Sequence, residues 1–326
     1  MLSLEAAPLD VDGALSSPVA NPHKYVLYSP SVAQLLTFAT CALKESSSSG
    51  VLFLYILGET TGAAPKLSAG DTSAAAAAAS SGDEGTVAMT EDAARQTGTS
   101  LLASAGVALA PHSTGTQTAE WRDALTPGDL AVLARRPLFC EIDVAGAIGF
   151  LDLVDMANVF GSPVAVVVAG AQLPPNWPEH LGSPLSLFLT DPLTAFMALT
   201  GVASVAKETY DMAATVVAAA QDTVLAVMEE ALSRGDQADD LDAAALIFFS
   251  GDSFLSRHVA RLAFYLAVCA MHGEISKDLA SIVPQMRPSL PDAIVRAESV
   301  LEHVIQLAST LSVTLQFNDV SMVVVS

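Results

Sequence analysis

The sequence is short of positive charge. Fourteen Lys and Arg stand against 35 Asp and Glu, a formal net charge of −21. Nucleic-acid affinity rests on Lys and Arg neutralising phosphates, so direct binding to DNA or RNA is not expected of this chain. Cysteine is scarce too. Cys41, Cys140 and Cys269 are an odd set of three, and they are too few for a disulfide framework. The start, MLSLEAAPLDVD, lacks a basic n-region, so no signal peptide is expected and the thiols read as reduced and intracellular. Long apolar runs are missing despite 52% hydrophobic residues. Met156 to Pro178 is uncharged, but Gly161, Pro163, Gly170, Pro174 and Pro175 break it. Pro192 to Ala206 is short of the roughly 20 residues a spanning helix needs. Arg257, His258 and Arg261 interrupt the approach to Leu262–Met271. No membrane association is expected, and these last two segments read as buried helices.

The usual catalytic signatures are also absent. Gly146 and Gly149 supply only G-x-x-G, not the G-x-G-x-x-G of a dinucleotide site, and no Gly-Lys pair marks a P-loop. No H-E-x-x-H or G-x-S-x-G occurs. Cys269-x-x-His272 is at most half of a zinc site, and no second spaced pair completes it. On a helix, Cys269 reads as core and His272 as a polar helix end. The GDSF stretch, Gly251 to Phe254, resembles a serine-hydrolase nucleophile block. No histidine has Asp three residues before it, so Asp252 or Ser253 reads instead as an N-cap. No metal, cofactor or catalytic residue is therefore expected.

What remains is a regular α/β pattern. Val51–Leu57 and Pro137–Asp143 are continuous apolar runs suited to strands buried on both faces, as is Pro163–Gly170. Between the last two, Ile148, Leu151, Val154 and Ala157 recur at helical spacing, with Gly161 as the C-terminal cap. Strand, helix and strand make a βαβ unit with parallel strands. Lys24 to Tyr28 reads as extended. Ser29 then caps a helix with Pro30 at its first position and a stripe through Val32, Leu35, Leu36, Ala39, Ala42 and Leu43. Further on, Asp191-Pro192 caps a helix ending near Gly201, and a long helix runs from Lys207 to Arg234. Its face is Tyr210, Val217, Val224, Leu225 and Met228. Helices over 238–249, 253–272 and 291–310 follow, with a last strand from Ser312 to Phe317.

The fold class expected is α/β: a largely parallel, Rossmann-like sheet of about four or five strands covered by helices, helix-rich toward the C-terminus. Residues 1–20 read as a flexible tail. Residues 21–59 and 120–320 read as one α/β domain. Residues 60–119, rich in Ala, Gly, Ser and Thr, read as a disordered low-complexity insertion. Within it, LLASAGVALA could form a short helix or partner-binding segment.

Asp143 is the main chemical candidate, because it ends a strand before a Gly-Ala-Ile-Gly turn. An integrin-type metal site needs hydroxyls two and four residues later, where Ala145 and Ala147 stand. Asp143 therefore reads as capping a helix or facing solvent. Two groups are candidate partner contacts. One is His23, Lys24, Tyr25 and Tyr28 at the first extended segment. The other is Arg257 and Arg261 on one helix face, which could pair internally or dock an acidic partner.

An ordered set of blocks resembles the SCAI family, named for suppressor of cancer cell invasion. The blocks are NPHKYVLYSPSVAQLLTFATCALKE, VLFLYILG, TPGDLAVLARRPLFCEID, VFGSPVAVVVAG, SPLSLFLTDPLTAFMALTG and FFSGDSFLSRHVARLAF. They match the family's C-terminal half. The resemblance implies a non-enzymatic transcription coregulator that restrains Rho- and actin-linked transcription. It would act through myocardin-related factors with serum response factor, in nucleus and cytoplasm. It also implies DNA-repair partners, and a family chain about twice as long. Ser and Asn follow the strand-end Asp in the family pattern, so a family site at this turn would be lost here. Two other readings stay open: a degenerate Rossmann-like enzyme using Asp143, and the structural half of a larger two-part protein.

Overall fold

A computed structural model describes residues 25–46, 50–60, 107–108, 124–233 and 241–324. The tail at 1–20 and most of the 60–119 stretch lie outside these residues.

Four strands make the main sheet: β1 (Leu52–Leu57), β5 (Leu138–Asp143), β6 (Val164–Val168) and β7 (Gln285–Arg287), in the order β1-β5-β6-β7. β1 and β5 are parallel with Leu52 opposite Leu138, and β5 and β6 are parallel with Leu138 opposite Val164. β7 runs antiparallel to β6, pairing Val166 with Arg287. The sheet is thus small and mixed. The antiparallel strand was not foreseen, because three residues of Gln-Met-Arg carry no periodicity of their own. Three two-residue strands form a second, antiparallel sheet: β2 (Glu59–Thr60), β3 (Val107–Ala108) and β4 (Ala124–Leu125). Thr60, Val107 and Ala108, inside the expected insertion, are therefore paired backbone.

Helices cover both faces. On one lie α1 (Val32–Glu45), α2 (Pro127–Ala131) and α3 (Leu153–Ala157), packed on Ile56, Leu138, Cys140, Ile142, Val164, Val166 and Val168. On the other lie α4 (Pro184–Thr190), α5 (Pro192–Leu199), α6 (Lys207–Ser233), α7 (Leu241–Ser250) and α8 (Ser253–Met271), against Phe139, Ala165 and Val167. The split follows the period of two along a strand. β5, the centre of the parallel ladder, is buried along its whole length. Four helices follow α8 in sequence: α9 (Leu279–Ile282), α10 (Asp292–Val295), α11 (Glu298–Thr310) and α12 (Val320–Val324). The molecule is helix-rich around this small sheet.

Local rules explain most helix ends. Asp191 accepts a bond from the Thr194 N–H at 3.2 Å, with Pro192 at the first helical position. Asp252 accepts from the N–H groups of Phe254 and Leu255, both at 2.9 Å. Gly161 takes a left-handed φ of 64° after α3, where a side chain would be strained.

Other ends differ from expectation. The cap of α1 is Ser31, not Ser29. Ser31 and Gln34 form a reciprocal capping box, while Ser29 has φ 46°, which is not cap geometry. The helix expected over 291–310 is split into α10 and α11. Ser312–Phe317 is no strand: Thr314–Gln316 is a turn of 3-10 helix, and only Phe317 bridges, antiparallel, to His272. The alternation there misled because Leu315 is fully exposed rather than facing a core. Tyr210 is 39% exposed, whereas Val217, Val224 and Met228 are buried.

α6 and α8 contain windows long and apolar enough to cross a membrane. In α8, 61% of that window is buried within the fold, as in a core helix. In α6 the figure is 28%, and Asp211, Asp222, Glu229 and Glu230 line its exposed side.

Candidate functional site

Residues of odd number on β5 point toward α4 and α8. That direction carries Phe139, Glu141 and Asp143 into the same layer. Glu141 and Asp143 are buried carboxylates in an apolar environment, and each needs a partner.

Asp143, expected either to cap a helix or to face solvent, is 4% exposed and so does not face solvent. Its Oδ2 accepts from the Tyr55 hydroxyl at 3.0 Å and from the Ser186 hydroxyl. Its Oδ1 accepts from the Ser183 hydroxyl. The Tyr55 and Ser186 hydroxyl oxygens also lie side by side, with both protons directed at Asp143. Ser183 is the N-cap residue of α4, but it makes no cap bond with its own helix, because its hydroxyl is turned to Asp143. The strand-end aspartate thus fastens β1 and α4 to the carboxyl end of the sheet. Burial, more than any neighbour, raises the Tyr55 phenol well above its usual range, and the Asp143 charge adds to that. Burial also raises Tyr265 well above its ordinary value, with Cys269 and then Asp143 adding to it. Both phenols stay neutral, and Tyr55 acts as a donor. Sequence reasoning missed Tyr55, Ser183 and Ser186. Only the Ser183-Pro184 pair, a helix-start signal, marked that neighbourhood.

Glu141 is paired with His258 of α8, Oε2 to Nε2, at 2.8 Å. Phe53, Phe139 and Phe254 surround the imidazole, with ring centroids 5.3, 5.9 and 5.8 Å away.

The other candidates separate in space. His23 and Lys24 lie outside the described residues. Tyr25 donates its hydroxyl to Glu45 at 2.8 Å and packs on Phe38, closing the extended segment onto α1. Glu45 raises that phenol's pKa through the hydrogen bond. Tyr28 is 83% exposed. Arg257 is exposed. Arg261 is half-buried, and its Nη1 donates to the Leu189 carbonyl at the end of α4, at 2.7 Å. Arg261 is thus engaged inside the molecule, while Arg257 is not buried. Cys269 is buried core, as expected. His272 is the C-cap of α8, the polar helix end expected, and it is buried there: its Nδ1 accepts from the Glu274 and Ile275 N–H groups at 3.3 and 3.5 Å. Burial lowers its pKa. No cluster of three or more His, Cys, Asp or Glu able to hold a metal occurs among the described residues.

A family model described as Protein SCAI matches residues 10–275. The chain belongs to the SCAI family. Protein SCAI of Mus musculus is 27% identical over 305 residues, covering 93% of this chain and 45% of that protein. Protein SCAI of Homo sapiens is 27% identical over 296 residues, covering 90% and 43%. A Protein SCAI homolog of Dictyostelium discoideum is 23% identical over 197 residues, covering 60% and 24%. The chain spans under half the length of the mammalian SCAI proteins it matches. No solved structure matches it.

The Asp143 cluster lies within the matched SCAI region, and so does the Glu141–His258 pair. Neither of two small cavities is lined by a residue of the Asp143 cluster or by Glu141 or His258. One is lined by Met228, Phe249, Val259 and Ile294, the other by Asn158, Pro163, Asp242 and Ala245.

Proposed function

We propose that this chain is a non-enzymatic protein-interaction domain of the SCAI type, acting as a transcription coregulator. In this reading it restrains Rho- and actin-linked transcription, and with it cell migration, by occupying a myocardin-related factor together with serum response factor. DNA-repair factors are further partners in nucleus and cytoplasm. Family membership carries the reading. The closed state of the strand-end carboxylate Asp143 supports it: hydroxyls of Tyr55, Ser183 and Ser186 take it up. Catalysis at a sheet rim calls for converging groups around an accessible reacting atom. Tyr28 and Arg257 are the exposed members of the proposed partner contacts.

Affinity purification of the tagged full chain with mass spectrometry tests this. Recovery of transcription or repair factors, reduced by Tyr28→Ala with Arg257→Glu, is the expected result. Recovery of no such factor sinks it.

A second reading rests on the Asp143 cluster itself. A Rossmann-like enzyme would keep an acid at the carboxyl end of parallel strands such as β1, β5 and β6. Turnover of any substrate that disappears in Asp143→Asn, with folding intact, would favour it. The coverage of under half of each mammalian relative suits a third reading, one structural half of a two-part protein. Stable, soluble expression of this chain alone would count against that.

A further inference from the structure

β1 ends the sheet, and among the described residues it pairs only with β5. Its six residues, LFLYIL, contain no charge, proline or glycine. Natural edge strands are normally blunted by such devices, because an open row of N–H and C=O groups invites another strand. The parallel register sets which groups are open. The Leu52 N–H donates to the Pro137 carbonyl at 2.9 Å, so Leu52, Leu54 and Ile56 turn their backbone toward β5. Phe53, Tyr55 and Leu57 turn theirs outward.

We propose that this edge is a dimer interface, occupied by β1 of a second copy running antiparallel about a two-fold axis through Tyr55. Three observations select a second copy. In an antiparallel pair, residues with outward-facing backbone must oppose one another. A dyad at Tyr55 satisfies this: Tyr55 meets Tyr55 of the second copy, and Phe53 meets its Leu57. The side chains then match. Leu57 is 67% exposed at one end of the strand. Phe254, 57% exposed, leans on Phe53 at the other end, ring centroids 5.4 Å apart. Antiparallel pairing brings Leu57 of each copy over Phe53 and Phe254 of the other, so both exposed groups are covered at once. That self-complementarity is what an isologous interface requires. Finally, two chains of net charge −21 repel, and β1 is a place where none of that charge lies. The result is one continuous sheet across two copies. It stands whether or not the coregulator reading does.

Light scattering and sedimentation of the full chain test the interface. The expected mass is twice the 33.6 kDa of one chain. Leu57→Lys and Phe254→Lys, each checked for intact folding by circular dichroism, should each weaken the dimer roughly tenfold or more, as for a central interface anchor. Leu57 is 67% exposed, and Phe254, although it also flanks His258, is 57% exposed, which is why folding is checked for each. A single-chain mass for the wild type overturns the proposal. So does a dimer that either variant leaves at wild-type strength.

Discussion

Glu141 and His258 face each other at 2.8 Å across the junction of β5 and α8, inside a cage of Phe53, Phe139 and Phe254. The pair joins the centre of the sheet to α8, a core helix on that face. Its carboxylate is 2% exposed.

Removing one member should therefore be costly. His258→Ala leaves the Glu141 carboxylate buried without its partner, and about 3 kcal/mol of stability should be lost. Glu141→Leu together with His258→Leu should recover much of it, since apolar replacements of a buried pair are often neutral or better. Urea unfolding of the two variants checks this. A double variant less stable than His258→Ala alone would contradict it.

Asp143 is an anchor for three hydroxyls, so its loss should act on folding. Asp143→Ala leaves the Ser183 and Ser186 hydroxyls without their acceptor, and should cost about 2–3 kcal/mol. The measurement is again urea unfolding, with hydrogen exchange locating the loosened region at α4 and the end of β1. Wild-type stability in this variant would remove Asp143 from its structural role.

His272 links stability to pH. Its Nδ1 must be unprotonated to accept the Glu274 and Ile275 N–H groups, and burial lowers its pKa below the ordinary 6.5. A depressed folded-state value means that the unfolded chain binds the proton more readily. The stabilisation is therefore present above the unfolded value. It is lost as pH falls from there through the lowered folded value. His272→Gln should abolish that part of the dependence, so the gap between wild type and variant should narrow as pH falls below the ordinary histidine value. A gap that stays constant would rule out His272 as its source.

Gly170 is required by close approach rather than by backbone angle. A Cβ at this position would stand 2.1 Å from the Ile282 carbonyl oxygen and 2.6 Å from its carbon. The loop after β6 is held there by the Gln172 N–H donating to the Ser281 carbonyl at 2.9 Å. Gly170→Ala should destabilise by about 1–3 kcal/mol, the range for overpacking into immobile backbone. Gly128→Ala, whose Cβ would meet only the Thr126 hydroxyl oxygen at 3.7 Å, is the control and should change stability little.

Much of the architecture was legible in advance. The apolar runs around Leu52–Leu57, Leu138–Asp143 and Val164–Val168 have no other comfortable home than a doubly covered sheet. Asp191, Asp252 and Gly161 act locally and could be read as caps without knowing the fold. Failures came where the partner lies far along the chain. Tyr55 reaches Asp143 across 88 residues, and His258 reaches Glu141 across 117. Nothing near either residue announces its partner. β7 is a strand only because β6 offers it an edge. Arg261 looked like half of a surface patch until α4 brought the Leu189 carbonyl to it.

Periodicity and composition alone settled the three parallel strands, the helices α1, α6 and α8, and the acidity of the chain, because those follow from short-range patterning. Tertiary structure alone decided that Asp143 is buried under three hydroxyls, that Glu141 meets His258, and that β1 is left at the edge. Contacts between distant segments depend on how layers stack, and that information is spread over the whole chain rather than carried by any one stretch of it.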